Sequence, residues 1–245
     1  MLHQGTKEFD SLEGLNFNIK TKTKDVECHT NLIMPFNALN ITLAYAILDS
    51  LGEMEDSKFN QLLEEIKIPG RDEVIKYNGR TIIITITCTP HLEIIKRYKE
   101  KGKVKNIRLV TGSFGKGFNS WLEEYKEEKF TKYVEESMRW AYSYFVKNVD
   151  QIYITTNDNA YSNITELLGK QKKEVEGKTT YFLIEDRKEA IKKAIEDSER
   201  NDVIIISGRG NRSIFCKDRR NVEIYLDRSI VEEEIIKKKE EDNAN

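Results

Sequence analysis

Glycine, asparagine and charge gather in three loops of this 245-residue chain, and each loop follows directly on a β-rich apolar run. Asn106-Ile-Arg-Leu-Val-Thr111 opens into Gly112-Ser-Phe-Gly-Lys-Gly117. Gln151-Ile-Tyr-Ile-Thr-Thr156 opens into Asn157-Asp158-Asn159. Asp202-Val-Ile-Ile-Ile-Ser207 opens into Gly208-Arg-Gly-Asn-Arg212. Glycine lets a backbone approach a bound group closely, and lysine or arginine beside it supplies charge that suits a carboxylate or phosphate. Strands that end this way look like the carboxyl edge of a parallel α/β sheet, where ligands bind. Function is thereby localised to a few loops before any reaction is named.

The spacing also excludes chemistry. No Walker-type phosphate loop occurs in the sequence, because Gly112 to Gly117 lacks that spacing and no Ser or Thr follows Lys116. This loop reads either as an anion site or as a turn carrying a solvated lysine. Gly208 and Gly210 lack the third glycine of a dinucleotide fingerprint and come at a late strand, which disfavours an oxidoreductase. Cys28-His29 with Cys88 and His91 can be drawn as a zinc site, but neither pair has Cys-x-x-Cys spacing, and no metal is expected there. Cys88 follows an apolar strand and has only His91 placed to activate it, so it reads as a buried thiol rather than a nucleophile. Three dispersed cysteines do not make a disulfide framework. The 40 basic residues against 42 acidic ones argue against a dedicated nucleic-acid binder. With no apolar stretch of membrane-spanning length and no signal pattern at the N-terminus, a cytoplasmic location without membrane contact is expected.

The elements that position the loops can be read from periodicity. Leu39, Leu43, Ala46, Ile47 and Leu51 follow helical spacing up to a stop at Gly52, and a second helix is expected over Lys58–Ile66. A domain boundary is placed near Gly70, giving segments 1–70 and 71–245. Beyond it, strands are expected at Thr81–Thr87, Val104–Thr111, Ile152–Thr156, Thr180–Ile184, Val203–Ser207 and Val222–Leu226. Helices are expected at Leu92–Glu100, through Phe130 to Phe145, at Ile164–Gly169, Lys188–Glu199 and Ile230–Lys239, with a frayed tail. Ala190, Ile191, Ala194 and Ile195 should face inward. The aromatic-rich helix around Tyr133, Trp140, Tyr142, Tyr144 and Phe145 reads as packed core with an amphipathic rim rather than as a base-stacking platform. This alternation predicts an α/β, Rossmann-like, mainly parallel sheet flanked by helices, preceded by a small α/β piece.

Seven segments, in order, resemble those of the Mur ligase family, most closely the branch that adds the third peptide residue to a nucleotide-linked dipeptide. Met34-Pro-Phe-Asn-Ala-Leu-Asn40 is similar to G-x-F-N-x-x-N, and Pro69-Gly-Arg71 with Glu73 to P-G-R-x-E. Thr87-Cys-Thr-Pro90 resembles A-H-T-P, and Thr156-Asn-Asp-Asn-Ala-Tyr161 resembles T-S-D-N-P-R. Ile184-Glu-Asp-Arg-Lys-Glu-Ala-Ile191 resembles D-R-x-x-A-I, Ser207-Gly-Arg-Gly-Asn-Arg212 resembles A-G-K-G-H-E, and Tyr225-Leu-Asp-Arg228 resembles D-D-R. The resemblance runs from about Leu15 to the C-terminus and corresponds to the last part of the family's central ATPase domain plus its C-terminal domain. It implies acyl-phosphate chemistry. ATP with magnesium activates a carboxylate, and the amine of an amino acid then attacks it in peptidoglycan precursor or related peptide synthesis.

By the same resemblance, Asn37, Asn40, Arg71 and Lys116 would contact the nucleotide, while Asp158, Asn159, Tyr161, Gly208 and Arg212 would form the amino-acid or peptide pocket. It assigns no catalytic residue. The family's phosphate loop, magnesium ligands and sugar-nucleotide domain would lie upstream of Met1, so a separate chain carrying the phosphate-loop half is the expected partner. The pocket departs from the diaminopimelate-adding pattern, with Ala160-Tyr161 for Pro-Arg and Arg212 for glutamate. A glutamate there receives a distal ammonium, which arginine repels. Arg212 then either favours a carboxylate or phosphate or is a solvated surface residue. The alternative function is a non-catalytic module that binds a small molecule or a partner.

Overall fold

The computed structural model describes residues 3–5, 12–53, 55–115, 127–159, 162–217 and 220–244. Lys116 and Tyr161 lie outside the described residues. The chain divides into two compact units, Met1–Glu73 and Val74–Asn245.

In the first unit, β1 (His3–Gly5), β2 (Leu15–Lys20) and β3 (Asp25–Thr30) form an antiparallel sheet in that order. No strand is expected in this region from the sequence pattern alone. Alternation along the strands turns Leu15, Phe17 and Ile19, with Val26, Cys28 and Thr30, toward two helices. Helix α1 (Phe36–Leu51) stops at Gly52, whose φ of 74° is the left-handed conformation that glycine adopts without cost. Helix α2 is Asp56–Glu65. Tyr45 packs edge-on against Phe59 at 5.3 Å and donates its hydroxyl to Asp56, 2.9 Å away.

The stripe Leu39, Leu43, Ile47 and Leu51 is more than half exposed, and α1 instead buries Asn37, Ala38, Ile41 and Tyr45. Periodicity identified the helix but not its inward face, because α1 is apolar nearly all round and carries no charge from Phe36 to Leu48.

The second unit is built on a six-stranded sheet of order β4-β5-β9-β6-β7-β8. Strands β5 (Arg80–Thr85), β6 (Ile107–Thr111), β7 (Gln151–Ile154), β8 (Thr180–Leu183) and β9 (Val203–Ser207) all pair in parallel. Strand β4 (Glu73–Tyr77) joins β5 through Asn78-Gly79, both at positive φ. That is the hairpin turn whose twist matches its strands, so β4 is the antiparallel edge. Strand β9 is buried on both faces, as its unbroken apolar run requires.

Helices α3 (Thr89–Glu100), α4 (Glu127–Asn148) and α5 (Ile164–Val175) pack in sequence along one layer. Helix α6 (Arg187–Glu196) packs on α7 (Asp227–Ala244). Ile82, Ile84, Ile204 and Ile206 share a core with Ala190, Ile191, Ala194 and Ile195 of α6 and with Ile230 and Val231 of α7. By the two-residue period of a strand, Ile83, Ile205 and Leu109 turn to the other layer.

The helices α5 and α7 are longer than periodicity suggested. The expected last strand is Val222–Ile224 (β11), which pairs with Ile214–Cys216 (β10) in a separate antiparallel ribbon rather than joining the main sheet. At the amino edge, buried Asp202 accepts from Arg108 Nε at 2.8 Å and from the backbone amides of Asn106 and Glu199, tying β6 to β9.

Candidate functional site

Strand β9 returns from α6 to insert between β5 and β6, whose own connections leave toward α3 and α4. Neighbouring strands therefore send their loops to opposite faces, and a crevice opens at their carboxyl ends. It measures about 540 Å³ and is walled by Thr87–Thr89, Thr111–Phe114, Ser207–Gly208 and one face of α4. The loops are fixed by backbone bonds. Gly208 N donates to Thr85 O at 3.1 Å, Gly115 N to Asp158 O at 2.9 Å, and Asn159 N to Cys216 O at 2.9 Å. A side chain at Gly115 would collide with the Asn159 carbonyl. At Gly208, φ is 116° and a Cβ would strike the Asn157 amide. Glycine is thus required at both positions by close approach.

The structure brings Asp158, Asn159, Gly208 and Arg212 to this one edge. Asp158 is buried, accepts from Cys216 N at 3.2 Å, and stands 3.8 Å from the partly exposed Arg212 guanidinium. Arg212 lies over the Phe114 ring, 5.5 Å from its centroid. Burial lowers its pKa, the charge of Arg209 adds to that, and Asp158 opposes both. Asn159 is fully buried, and neither atom of its side-chain amide has a hydrogen-bond partner. The Asn157 side-chain oxygen is also buried without a partner. Such orphaned groups in a native interior point to a bound water or ligand.

Beneath these loops lies a charge cluster that the sequence did not reveal. Arg187, the first residue of α6, donates to Asp227 at 3.0 and 2.8 Å and to the Ser207 carbonyl at 3.0 Å. Arg209 reaches the same carboxylate at 3.5 Å, donates to Arg212 O at 3.0 Å, and lies over both the Phe215 and Tyr225 rings, which contact each other. All three charged groups are buried. Burial works against the Arg187 charge, but Asp227 outweighs it and leaves that guanidinium above its ordinary range. The cluster ties the loops after β7 and β9 to the start of α7. Arg187 and Asp227 occur in segments that resemble family motifs, and the contact gives both a structural role.

Cys88 lies at the crevice floor, 2% exposed, and burial pushes its thiol up to about 11. It is therefore a protonated thiol at neutral pH, as expected from its strand. Tyr142 and Phe145 are buried core, while Tyr133 and Trp140 of the same helix stand exposed at the crevice wall.

The other predicted site residues lie in the first unit. Asn37 is buried on α1 with its amide nitrogen unpartnered, and its oxygen accepts from Asn40 at 3.4 Å. Arg71 is exposed in the turn after α2, between Gly70 and Asp72, both at positive φ.

No family model matches the chain. A UDP-N-acetylmuramoyl-L-alanyl-D-glutamate–2,6-diaminopimelate ligase of Halalkalibacterium halodurans is 27% identical over 230 residues, which is 92% of this chain and 43% of that protein. The chain resembles the Mur ligases. A solved structure of a ligase of that same name superposes with a TM-score of 0.59 at 18% identity, covering 93% of this chain and 44% of the other. A folylpolyglutamate synthase from Thermotoga maritima gives 0.58 at 19% identity, over 84% and 43%. These proteins share the α/β fold with its mainly parallel sheet. The chain spans less than half the length of the relatives it matches.

The resemblance implies ATP and magnesium. The triphosphate does not fit, because the sequence has no Walker loop, and among the described residues no group of three or more His, Cys, Asp or Glu side chains is placed to hold a metal ion. Among the described residues no helix is long and apolar enough to cross a membrane.

Proposed function

We propose that this chain is the amino-acid-presenting part of a Mur-ligase-like, ATP-dependent acid–amino-acid ligation in peptidoglycan precursor or related peptide synthesis, acting in the cytoplasm. The reading rests on one observation above others. Asp158, Asn159, Gly208 and Arg212 converge beside a switch-point crevice, with the Asn159 amide buried and unpartnered. A carboxylate and a guanidinium 3.8 Å apart match the ammonium and carboxylate of an amino acid. Binding there holds the incoming amine at a fixed place, which is the contribution orientation makes to amide formation. The activating half of the chemistry belongs to a partner that carries the phosphate loop. The uncovered apolar face of α1 suits such a partner, since an apolar stretch without charge such as Phe36 to Leu48 is normally covered.

The test is a phosphate-release assay with ATP, magnesium, a UDP-N-acetylmuramoyl dipeptide and a panel of amino acids. The chain alone should give no ATP turnover above background. Adding a phosphate-loop-bearing ligase half should produce amino-acid-dependent release. Robust ATP hydrolysis by the pure chain would overturn the division of labour. Amino-acid binding that never couples to turnover in any combination would favour a non-catalytic binding module, the reading to which the missing phosphate loop otherwise points.

A further inference from the structure

The crevice and the Asp158–Arg212 pair together describe the amino acid more narrowly than the fold does. Among the described residues, Glu136 is the one acidic or basic side chain that lines the crevice. It is largely solvated and already faces Lys132 at 3.9 Å. The remaining wall is uncharged: apolar and aromatic side chains alternate with the hydroxyl residues Thr87, Thr89, Thr111, Ser113, Ser137 and Ser207. Met138, Tyr142 and Phe145 form the inner part, Phe114 one side, and the exposed rings of Tyr133 and Trp140 the outer rim.

Trp140 is stacked on Tyr144, with centroids 6.3 Å apart and planes within 14°. That contact orients the indole on the exposed face of α4. At the Phe114 wall the crevice meets charge, because the Arg212 guanidinium lies over the same ring and Asp158 stands next to it. Asn157, its side-chain oxygen orphaned, sits beside Gly208, which also lines the crevice. A charged distal group placed in this crevice would lose part of its hydration and, among the described residues, meet no opposite charge beyond the solvated Glu136. An uncharged ring or branched chain would gain contact area there at no such cost.

Building on the ligase reading, we propose that the site selects an amino acid with a bulky uncharged side chain, aromatic or large aliphatic. The side chain enters the crevice, the carboxylate reaches Arg212 and the ammonium reaches Asp158. Diaminopimelate, whose far end is a second charged amino-acid group, is excluded. The zwitterion exchanges partners with the Asp158–Arg212 pair, so the two side chains that face each other in the free protein each receive one end of the ligand.

Calorimetric titration of the full chain with L-phenylalanine, D-phenylalanine and meso-diaminopimelate tests this. One phenylalanine enantiomer should bind at least roughly tenfold more tightly than diaminopimelate, a difference of about 1.4 kcal/mol. Trp140→Ala removes an exposed ring, so its thermal melt should match the parent while phenylalanine affinity falls by roughly tenfold. Arg212→Glu should abolish phenylalanine binding. Tighter binding of diaminopimelate overturns the proposed specificity and leaves the ligase reading standing. Binding of none of the three overturns both. Phenylalanine binding that is indifferent to Trp140→Ala and also to Met138→Trp, which fills the crevice from within, overturns the placement of the side chain.

Discussion

Two arginines lean on one carboxylate under the candidate site, and this makes the consequences of substitution lopsided. Asp227 receives Arg187 at 2.8 Å and Arg209 at 3.5 Å, all three away from water. Removing the shared carboxylate leaves two buried cations without their partner, which costs about 3–5 kcal/mol for a pair of this kind. Asp158 is different, because its Arg212 partner is partly exposed and can be resolvated. Asp158→Ala should cost only about 1 kcal/mol, chiefly for the Cys216 amide it leaves unpaired. Urea denaturation should therefore separate the two variants by at least about 2 kcal/mol, with Asp227→Asn the unstable one. Asp158→Ala should keep the fold and lose amino-acid affinity. Equal stabilities would show that Asp227 does not hold the loops together. Only half of this was legible in the sequence. Asp158, Asn159, Gly208 and Arg212 lie in loops that follow apolar strand runs, and their resemblance to family segments singled them out. Arg187 and Asp227 are 40 residues apart, and no spacing rule brings a particular arginine to a particular aspartate. The buried Asn157 and Asn159 amides were visible as residue types, but their lack of partners is a property of packing alone.

At the scale of elements, the sequence was most informative where one face of an element differs sharply from the other. Helix α6 has such contrast, and Ala190, Ile191, Ala194 and Ile195 are all fully buried as the pattern required. Helix α1 lacks it, so the period identified the helix without identifying its inward face. The strands of the first unit were not read although their signal is present, because Leu15-Asn-Phe-Asn-Ile-Lys20 and Asp25-Val-Glu-Cys-His-Thr30 both alternate apolar and polar residues as a half-buried strand does. The inward face of α1 can be tested directly. Leu43→Glu with Ile47→Glu changes residues that are more than half exposed, and should alter stability by no more than about 0.5 kcal/mol per site in urea denaturation. Ile41→Ala removes a buried side chain from the same helix, and should cost about 2–4 kcal/mol. If the glutamate pair instead unfolds the first unit, the stripe is core and α1 faces the other way. If the pair folds normally but can no longer be complemented by a phosphate-loop-bearing half, the apolar face is where that partner docks.

At the scale of the whole chain, the two units differ in how they are held together. The second rests on five parallel strands whose pairings join segments far apart in sequence, as when Ile83 meets Ile205 and Leu109 meets Ile205 from the other side. The first rests on neighbouring strands and two helices. Each has its own buried cluster, one around Tyr45 and Phe17 and one around Ile204 and Ile206. A chain with two cores should open first where few contacts cross. Residues 64–69 and Arg71 are exposed, Asp72 holds a positive φ that a side chain disfavours, and the division falls between Glu73 and Val74. Trypsin therefore has targets at Lys67 and Arg71 on an accessible, strained turn. Brief digestion under native conditions should cut there before it cuts within β5 to β9. The larger fragment should retain a cooperative urea transition when followed by far-ultraviolet circular dichroism. Cleavage scattered through the sheet at the same rate, or a fragment without a cooperative transition, would mean that the cores are not independent and that the chain folds as one body.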